Sequence, residues 1–501
     1  MDRQYLVALD QGTTSSRAIV FTREGQVRAS AAHEFAQHYP QPGWVEHQPQ
    51  DLLDTTLRAL RDALSSGGLE ASQLAAIGIA NQRETTLVWD RKTGQTLGRA
   101  IVWQCRRTAP FIERLRHDGL HGMIQARTGL VPDAYFSASK IRWLLDEAGA
   151  QEKAERGELC FGTVDSYLAW HLVKGHPHVT DATNASRTML FNLVRQDWDE
   201  DLLKLFNIPR AMLPQVVDSA QVIGETDPKW LGAPVPVAAL AGDQHAALFG
   251  QGCFGAGQVK NTYGTGCFML MNTGDRPVKN DKGLLSTMAW RLGGQPTFAL
   301  EGSVFVAGAA IQWLRDELGL IKTAAQSEAL ARQVEDSKGV YFVPAFTGLG
   351  APHWDMYARG MVTGLSRGAG AAHLARAALE AIAFQSNDLL LLMADALGHR
   401  PDALKVDGGA AANNLLMQMQ ADISGIQVLR PRVGETTALG AALLAGLALG
   451  MFDSPQQAAA QWQLETAFAP AWGEDLRARR LAGWQKAVDA ALYEASLRRN
   501  D

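Results

Sequence analysis

Apolar and polar positions in the first hundred residues come in short blocks, not in one long amphipathic rhythm. Tyr5–Leu9, Arg17–Thr22 and Val27–Ala32 are β-rich runs, with Arg23-Glu24-Gly25 as a turn, and they predict three strands. A loop over 38–49, punctuated by Pro40, Pro42, Gly43 and Pro49, leads to Leu53, Leu57, Leu60 and Leu64 at helical spacing, so Leu52–Leu64 reads as a helix. Leu74–Ala80 is apolar without alternation, as a strand buried on both faces should be. Thr85–Trp89 reads as a further strand, turned back at Lys92-Thr93-Gly94. The stretch 111–218 is more helical and irregular and reads as an insertion, with helices over Ala138–Leu145 and Asp165–Val173.

The pattern then begins again. Val235–Leu240 is an apolar strand that restarts a second half and ends at Gly242-Asp243. Apolar residues on both sides of Tyr263-Gly264-Thr265-Gly266-Cys267 predict a hairpin. Helices follow over Ala307–Leu318 and Ala371–Leu397, then a buried strand, Leu404–Val406, closed by Asp407-Gly408-Gly409. Leu415, Leu416, Met419 and Ile423 share one helical face, and Ala438–Leu449 is a helix of small residues able to pack closely on another element. The halves differ as text but agree in element order. The junction falls near Gly250–Gly257, which divides the chain into domains 1–251 and 252–501.

Composition narrows the class. A chain of 501 residues exceeds one ordinary core, so two large α/β domains are the default, and 47% apolar with 20% charged residues is the profile of a soluble globular protein. A net charge of −5 with no basic stripe argues against a nucleic-acid partner. The 4 cysteines show neither paired nor zinc-ligating spacing, which predicts reduced thiols and a cytoplasmic protein. No secretory leader is read, and the Ala438–Leu449 stretch is too short to span a bilayer.

The candidate chemistry lies in the turns. Asp10-Gln11-Gly12-Thr13-Thr14-Ser15-Ser16-Arg17 joins two strands with a Gly that lets an anion approach the backbone N–H groups. Thr13, Thr14 and Ser15 add hydroxyls, Arg17 a charged fork, and Asp10 a carboxylate suited to hydrated Mg²⁺. A hairpin with an ordinary polar tip is the plain alternative, weakened by the second hairpin around Thr265. Two such turns suggest pincers closing on a chain of phosphates. No G-x-x-x-x-G-K-[ST] run occurs, and Gly250–Gly255 matches G-x-G-x-x-G without a helix opening after it, so both dinucleotide and P-loop readings fall away. Asp407–Asn413 can lie under an adenine or ribose at a helix N-terminus, or simply join strand to helix. Asp243, at the end of an apolar strand, can accept a substrate proton and face a metal, or cap a helix. Arg83 and Glu84 follow a buried strand and suit a polyol, or form an exposed ion pair. Trp103 and Tyr135 can wall a pocket or fill a core.

These residues resemble the FGGY family of carbohydrate kinases along nearly the whole chain. Tyr135-Phe136-Ser137-Ala138-Ser139-Lys140-Ile141-Arg142-Trp143-Leu144 and Gly360–Leu365 with His373–Ala377 are similar to the two family signatures. Asn81-Gln82-Arg83-Glu84-Thr85, Ile101–Gln104 and Asn261–Phe268 are similar to members that phosphorylate glycerol, and the first differs from the Gln-Met-His type of pentulose kinases. The resemblance implies two actin-like (ribonuclease H-like) α/β ATPase domains with a cleft between them. It implies transfer of phosphate from ATP, with Mg²⁺, to glycerol, in a homodimer or homotetramer. Glycerol would meet Arg83, Glu84, Tyr135, Asp243 and Gln244, with Trp103 and Phe268 against its carbons. Nucleotide would meet Thr13, Thr14, Ser15, Arg17 and Thr265, bordered by Gly308, Gln312, Gly409 and Asn413. Asp243 would be the base, and Asp10 with Asp243 would face the metal. The stretch 227–234 lacks the Arg of members inhibited by fructose 1,6-bisphosphate, so that control is not expected. Another polyol or ketose kinase, or a non-catalytic actin-like nucleotide switch, stays open on these motifs.

Overall fold

Strands β1 (Tyr5–Gln11), β2 (Ser15–Phe21) and β3 (Val27–Glu34) form an antiparallel meander in the computed structural model, which describes residues 4–280 and 282–498. Helix α1 (Pro49–Gly67) stops at Gly68 in the left-handed conformation and delivers β4 (Leu74–Asn81) parallel to β1. The register runs from Leu6 opposite Ala76 to Gln11 opposite Asn81, so both strands end together at the top of the sheet. β5 (Ala220–Glu225) and β6 (Pro236–Gly242) complete six strands in the order β5-β6-β4-β1-β2-β3. Helix α2 (Asp243–Gly250) starts directly where β6 ends.

A second sheet repeats the plan. β7 (Val259–Tyr263) and β8 (Cys267–Gly274) form the second hairpin, followed by β9 (Leu285–Leu292) and β10 (Gln295–Val304). Helices α3 (Gly308–Asp316) and α4 (Ala371–Leu397) lead to β11 (Ala403–Asp407), parallel to β7 as β4 is to β1. Then come α5 (Asn414–Ser424), β12 (Gln427–Pro431), α6 (Thr436–Ala448) and β13 (Leu464–Phe468), giving the order β9-β10-β8-β7-β11-β12-β13. In each half a hairpin lies within a mixed sheet, and the strand parallel to its first arm pairs beside that arm. That is the actin-like α/β plan.

Two expectations are corrected. β6, read as the restart of the second half, lies in the first sheet between β4 and β5. All seven of its residues are buried, and a strand covered on both faces needs neighbours on both edges. The strand expected at Thr85–Trp89 begins at Leu87 and pairs with Leu159–Gly162 in a ribbon outside the main sheet. The β9–β10 hairpin, turning at Gly293-Gly294, is an addition to the sequence reading.

The small-residue helix behaves as its composition demands, but it crosses to the other half. α6 packs on β4 and α2. A methyl group on Gly440 would lie 1.8 Å from the Ala246 carbonyl oxygen, one on Gly250 2.1 Å from that of Thr436, and one on Gly78 2.1 Å from that of Ala441. Only glycine permits this approach. One core therefore joins Ile19 and Phe21 of the first half to Leu270, Trp290, Leu439 and Leu443 of the second. α4 is long and apolar enough to cross a membrane, but 72% of its apolar window is buried, as a core helix requires.

Candidate active site

Four tight local features converge where β1, β4 and β6 end. Glu84 sits in the left-handed region at φ 60°, unusual for a residue with a side chain. Its carbonyl is held there by the hydroxyls of Thr86 (2.9 Å) and Ser137 (3.2 Å). Gln82 ties this loop to the first hairpin, donating its backbone N–H to Gln11 O (2.7 Å) and its amide to Gly12 O (3.0 Å). The hairpin closes through Gly12 N–H to Ser15 O at 2.9 Å. At the start of α2, Gly242 N–H donates to Thr183 Oγ1 at 2.8 Å, which sets Asp243 on the first helical turn.

The substrate candidates meet in one cluster. Arg83 and Glu84 are 3% and 1% exposed, so the exposed-pair reading fails. Arg83 Nε lies 3.2 Å from Asp243 Oδ1 but 4.0 Å from Glu84, and its Nη2 reaches the Tyr135 hydroxyl at 3.4 Å. Asp243 Oδ1 also accepts the Gln244 N–H at 2.7 Å, and Oδ2 faces the Gln244 amide at 3.3 Å. Trp103 stands edge-on to Tyr135 (5.6 Å between centroids) and to Phe268 of β8 (6.3 Å), so the aromatic wall is built from both halves. Trp103 Nε1 donates to Thr13 Oγ1 at 3.0 Å, which places the first hairpin against that wall.

The nucleotide candidates fall into two groups. Thr13, Thr14, Ser15 and Arg17 surround the first hairpin, and Arg17 reaches across to pair with Glu435 beside α6. Thr265, Gly308 and Gly409 surround the second. The Thr265 carbonyl accepts N–H groups of Ala307 (2.9 Å) and Ala309 (3.1 Å), and Gly308 N–H donates to Gly264 O (3.0 Å). A methyl on Gly308 would sit 2.6 Å from Gly264 O, and one on Gly408 2.5 Å from Tyr263 O, whereas beside Gly409 there is open space. Asn413 caps α5, its Oδ1 accepting Leu416 N–H at 2.9 Å, and Gln312 is exposed on α3.

Three buried charges were absent from the sequence reading: Arg187, Lys260 and Glu301. Glu301 of β10 takes both Nη atoms of Arg83, Nη2 at 3.1 Å, and one from Arg187 at 3.0 Å. Arg187 Nε donates to Glu84 Oε1 at 2.6 Å. Lys260 Nζ donates to Gln244 Oε1 at 2.5 Å and Thr262 Oγ1 at 2.8 Å, which turns the amide N–H₂ of Gln244 toward Asp243. The available signal was a lone charge within an apolar strand, Glu301 in Phe298-Ala299-Leu300-Glu301 and Lys260 in Val259-Lys260.

Electrostatics follow from these contacts. Burial alone would push the Glu301 carboxyl up, but Arg187 and Arg83 override it and hold it below its usual range. Glu84 stays raised because burial outweighs the same two arginines. Burial pushes the Tyr135 hydroxyl far above the phenol range and brings Lys260 down to about 8. Asp10 is pushed up to about 7, first by burial and then by the charge of Asp243, with Arg17 opposing. Among the described residues no group of three or more His, Cys, Asp or Glu is arranged for a metal ion.

A cluster of buried carboxylates and arginines at strand ends, with a Gly-Thr hairpin in each half of a duplicated α/β fold, is the arrangement of a phosphotransferase. The chain belongs to the FGGY family of carbohydrate kinases: residues 5–250 match the family's N-terminal domain and residues 259–449 its C-terminal domain. It is 57% identical over 492 residues to a glycerol kinase of Symbiobacterium thermophilum, covering 98% of this chain and 99% of that one. It is 60% identical over 489 residues to a glycerol kinase of Aromatoleum aromaticum, covering 97% and 98%. Among solved structures it is similar to a Plasmodium falciparum glycerol kinase with ADP, at a TM-score of 0.91 and 32% identity over 98% of this chain and 99% of that one.

Proposed function

We propose that this chain phosphorylates glycerol, moving the γ-phosphoryl group of ATP to a terminal hydroxyl to give sn-glycerol 3-phosphate. The observation that carries the reading is the cluster in which Arg83 meets Asp243 and the Tyr135 hydroxyl, beside the ring contacts of Trp103 with Tyr135 and Phe268. A three-carbon triol offers little apolar surface, so its affinity depends on hydrogen bonds to charged groups, each worth about 1.5–3 kcal/mol. Arg83 donates, Glu84 accepts, Gln244 presents its N–H₂, and the aromatic rings cover the carbon edge. The relatives named glycerol kinases, similar over nearly the full chain, support the same substrate.

In this reading Thr13, Thr14, Ser15 and Arg17 hold phosphates from one side and Thr265 from the other. Gly308, Gln312, Gly409 and Asn413 border the nucleoside, with Gly409 leaving room for a flat base. Domains 1–251 and 252–501 are the two walls. Asp243 takes the proton of the attacking hydroxyl late in the displacement, because a loose phosphoryl-transfer transition state needs positioning and charge neutralisation more than early deprotonation. Asp10 and Asp243 fit Mg²⁺: the negative charge of Asp243 disfavours ionisation of Asp10, and a hydrated Mg²⁺ prefers one or two carboxylates plus phosphate oxygens. The bound ion would neutralise charge on the phosphates. All four cysteines are buried and free, which supports the cytoplasm, and the expected assembly is a homodimer or homotetramer.

The test is ADP release with MgATP and, in turn, glycerol, xylulose, ribulose and gluconate. Glycerol should give the highest kcat/KM and a product identified as glycerol 3-phosphate. Turnover with one of the others and none with glycerol would reject the reading.

A further inference from the structure

Four charges close a ring behind the proposed triol pocket. Arg83 and Glu84 come from the loop after β4, Arg187 from the insertion and Glu301 from β10 of the second sheet. They are 3%, 1%, 0% and 0% exposed. The ring is electrically balanced, two cations against two anions: Arg83 to Glu301, Glu301 to Arg187 and Arg187 to Glu84 are hydrogen-bonded ion pairs, and Arg83 Nε closes it at 4.0 Å from Glu84 Oε1.

Stability does not account for such an arrangement. Apolar residues of similar volume in place of a buried ion-pair network are often neutral or stabilising. Here one nitrogen, Arg187 Nη1, is also buried without a hydrogen-bond partner. An orphaned buried donor is destabilising, because its lost hydration is not replaced. What the ring does provide is orientation. Glu301 takes the paired Nη face of Arg83, which fixes the guanidinium plane and leaves its Nε edge to Asp243 at 3.2 Å. Arg187 occupies Oε1 of Glu84, so Oε2 is the acceptor left for a substrate hydroxyl.

We propose that Glu301 and Arg187 are positioning residues for the polyol, and that the pocket is complete only when β10 of the second half is docked on the first. The proposal rests on the glycerol reading above. Without Glu301, the Nη face of Arg83 is free to turn onto Glu84 and Asp243 and cover the acceptors that the substrate needs.

The experiment compares Glu301→Gln with the charge-balanced double variant Glu301→Gln/Arg187→Gln. Glycerol KM should rise at least tenfold in the single variant, about 1.4 kcal/mol, with the KM for MgATP within twofold of wild type. In the double variant the melting temperature should recover toward wild type while glycerol KM stays at least tenfold raised. A purely structural role would restore both. Glycerol KM within twofold of wild type in either variant, or equal rises for both substrates, overturns the proposal. If the single variant does not fold, the double variant decides alone. A wild type without glycerol-dependent ADP release would sink the glycerol reading instead, and the same comparison is then made with the polyol that the wild type accepts.

Discussion

Replacing Asp243 by Asn separates the chemical role of this carboxylate from its structural one. Oδ1 accepts the Gln244 N–H at 2.7 Å and lies 3.2 Å from Arg83 Nε, both donors. The introduced amide must therefore keep its oxygen on that side. Its N–H₂ then takes the place of Oδ2, which gives up the 3.3 Å hydrogen bond from the Gln244 amide and the charge, though not the contact, of the pair with Arg83. A hydrogen bond to a charged group contributes about 1.5–3 kcal/mol, so the melting temperature should fall only modestly. The reacting hydroxyl, however, now meets a donor where it needs an acceptor. Loss of a general base costs about 10²–10⁴ in rate, or about 3–5 kcal/mol of barrier. We expect kcat for glycerol-dependent ADP release to fall by that factor while glycerol KM changes less than about threefold, since Arg83 and Glu84 stay in place. A coupled ADP assay with both substrates varied, beside a thermal melt, measures all three quantities. A kcat within tenfold of wild type in a protein that melts normally would refute Asp243 as the base.

Arg83→Ala should raise glycerol KM by about 10- to 100-fold, from the loss of one charged donor, and lower the melting temperature, because Glu301 loses its fork. An unchanged KM would put Arg83 outside the pocket. The Asp10 carboxyl, at about 7 in the folded protein against an ordinary 3.8, keeps a proton that the unfolded chain has released between those values. Without nucleotide, stability should therefore fall as pH rises from about 4 to about 7, and Asp10→Asn should remove up to about 4 kcal/mol of that slope. Denaturant midpoints across this range in both proteins check the sign, and identical slopes would contradict it. Gly440→Ala would drive a methyl to 1.8 Å from the Ala246 carbonyl. It should cost about 1–3 kcal/mol or more, read as a lower urea midpoint, and a midpoint equal to wild type would mean that α6 does not pack closely on α2.

Most of the local architecture was legible in the chain. The hairpin at Gly12, the α1 stripe of Leu53, Leu57, Leu60 and Leu64, the bounds of α4 and the close-packing helix α6 all follow from period, turn residues and residue size. The places where reading failed share a cause. β6 looked like a new beginning because an apolar run announces burial without saying which sheet buries it. The run Thr85–Trp89 announces a strand for the same reason, without saying that its partner is Leu159–Gly162. The β9–β10 hairpin carries a turn signal, Gly293-Gly294, between two strand-like runs that the sequence reading did not use.

The sequence by itself determined the two hairpins, the carboxylates at strand ends, and the duplicated order of elements, because turn chemistry and side-chain period act within a few residues. Tertiary structure alone decided which charges meet. Glu301 stands 218 residues from Arg83, and Arg187 stands 103 from Glu84, yet each pair shares a hydrogen bond in a space closed to water. An ion pair depends on distance and burial, and neither is written along the chain until two sheets have packed against each other.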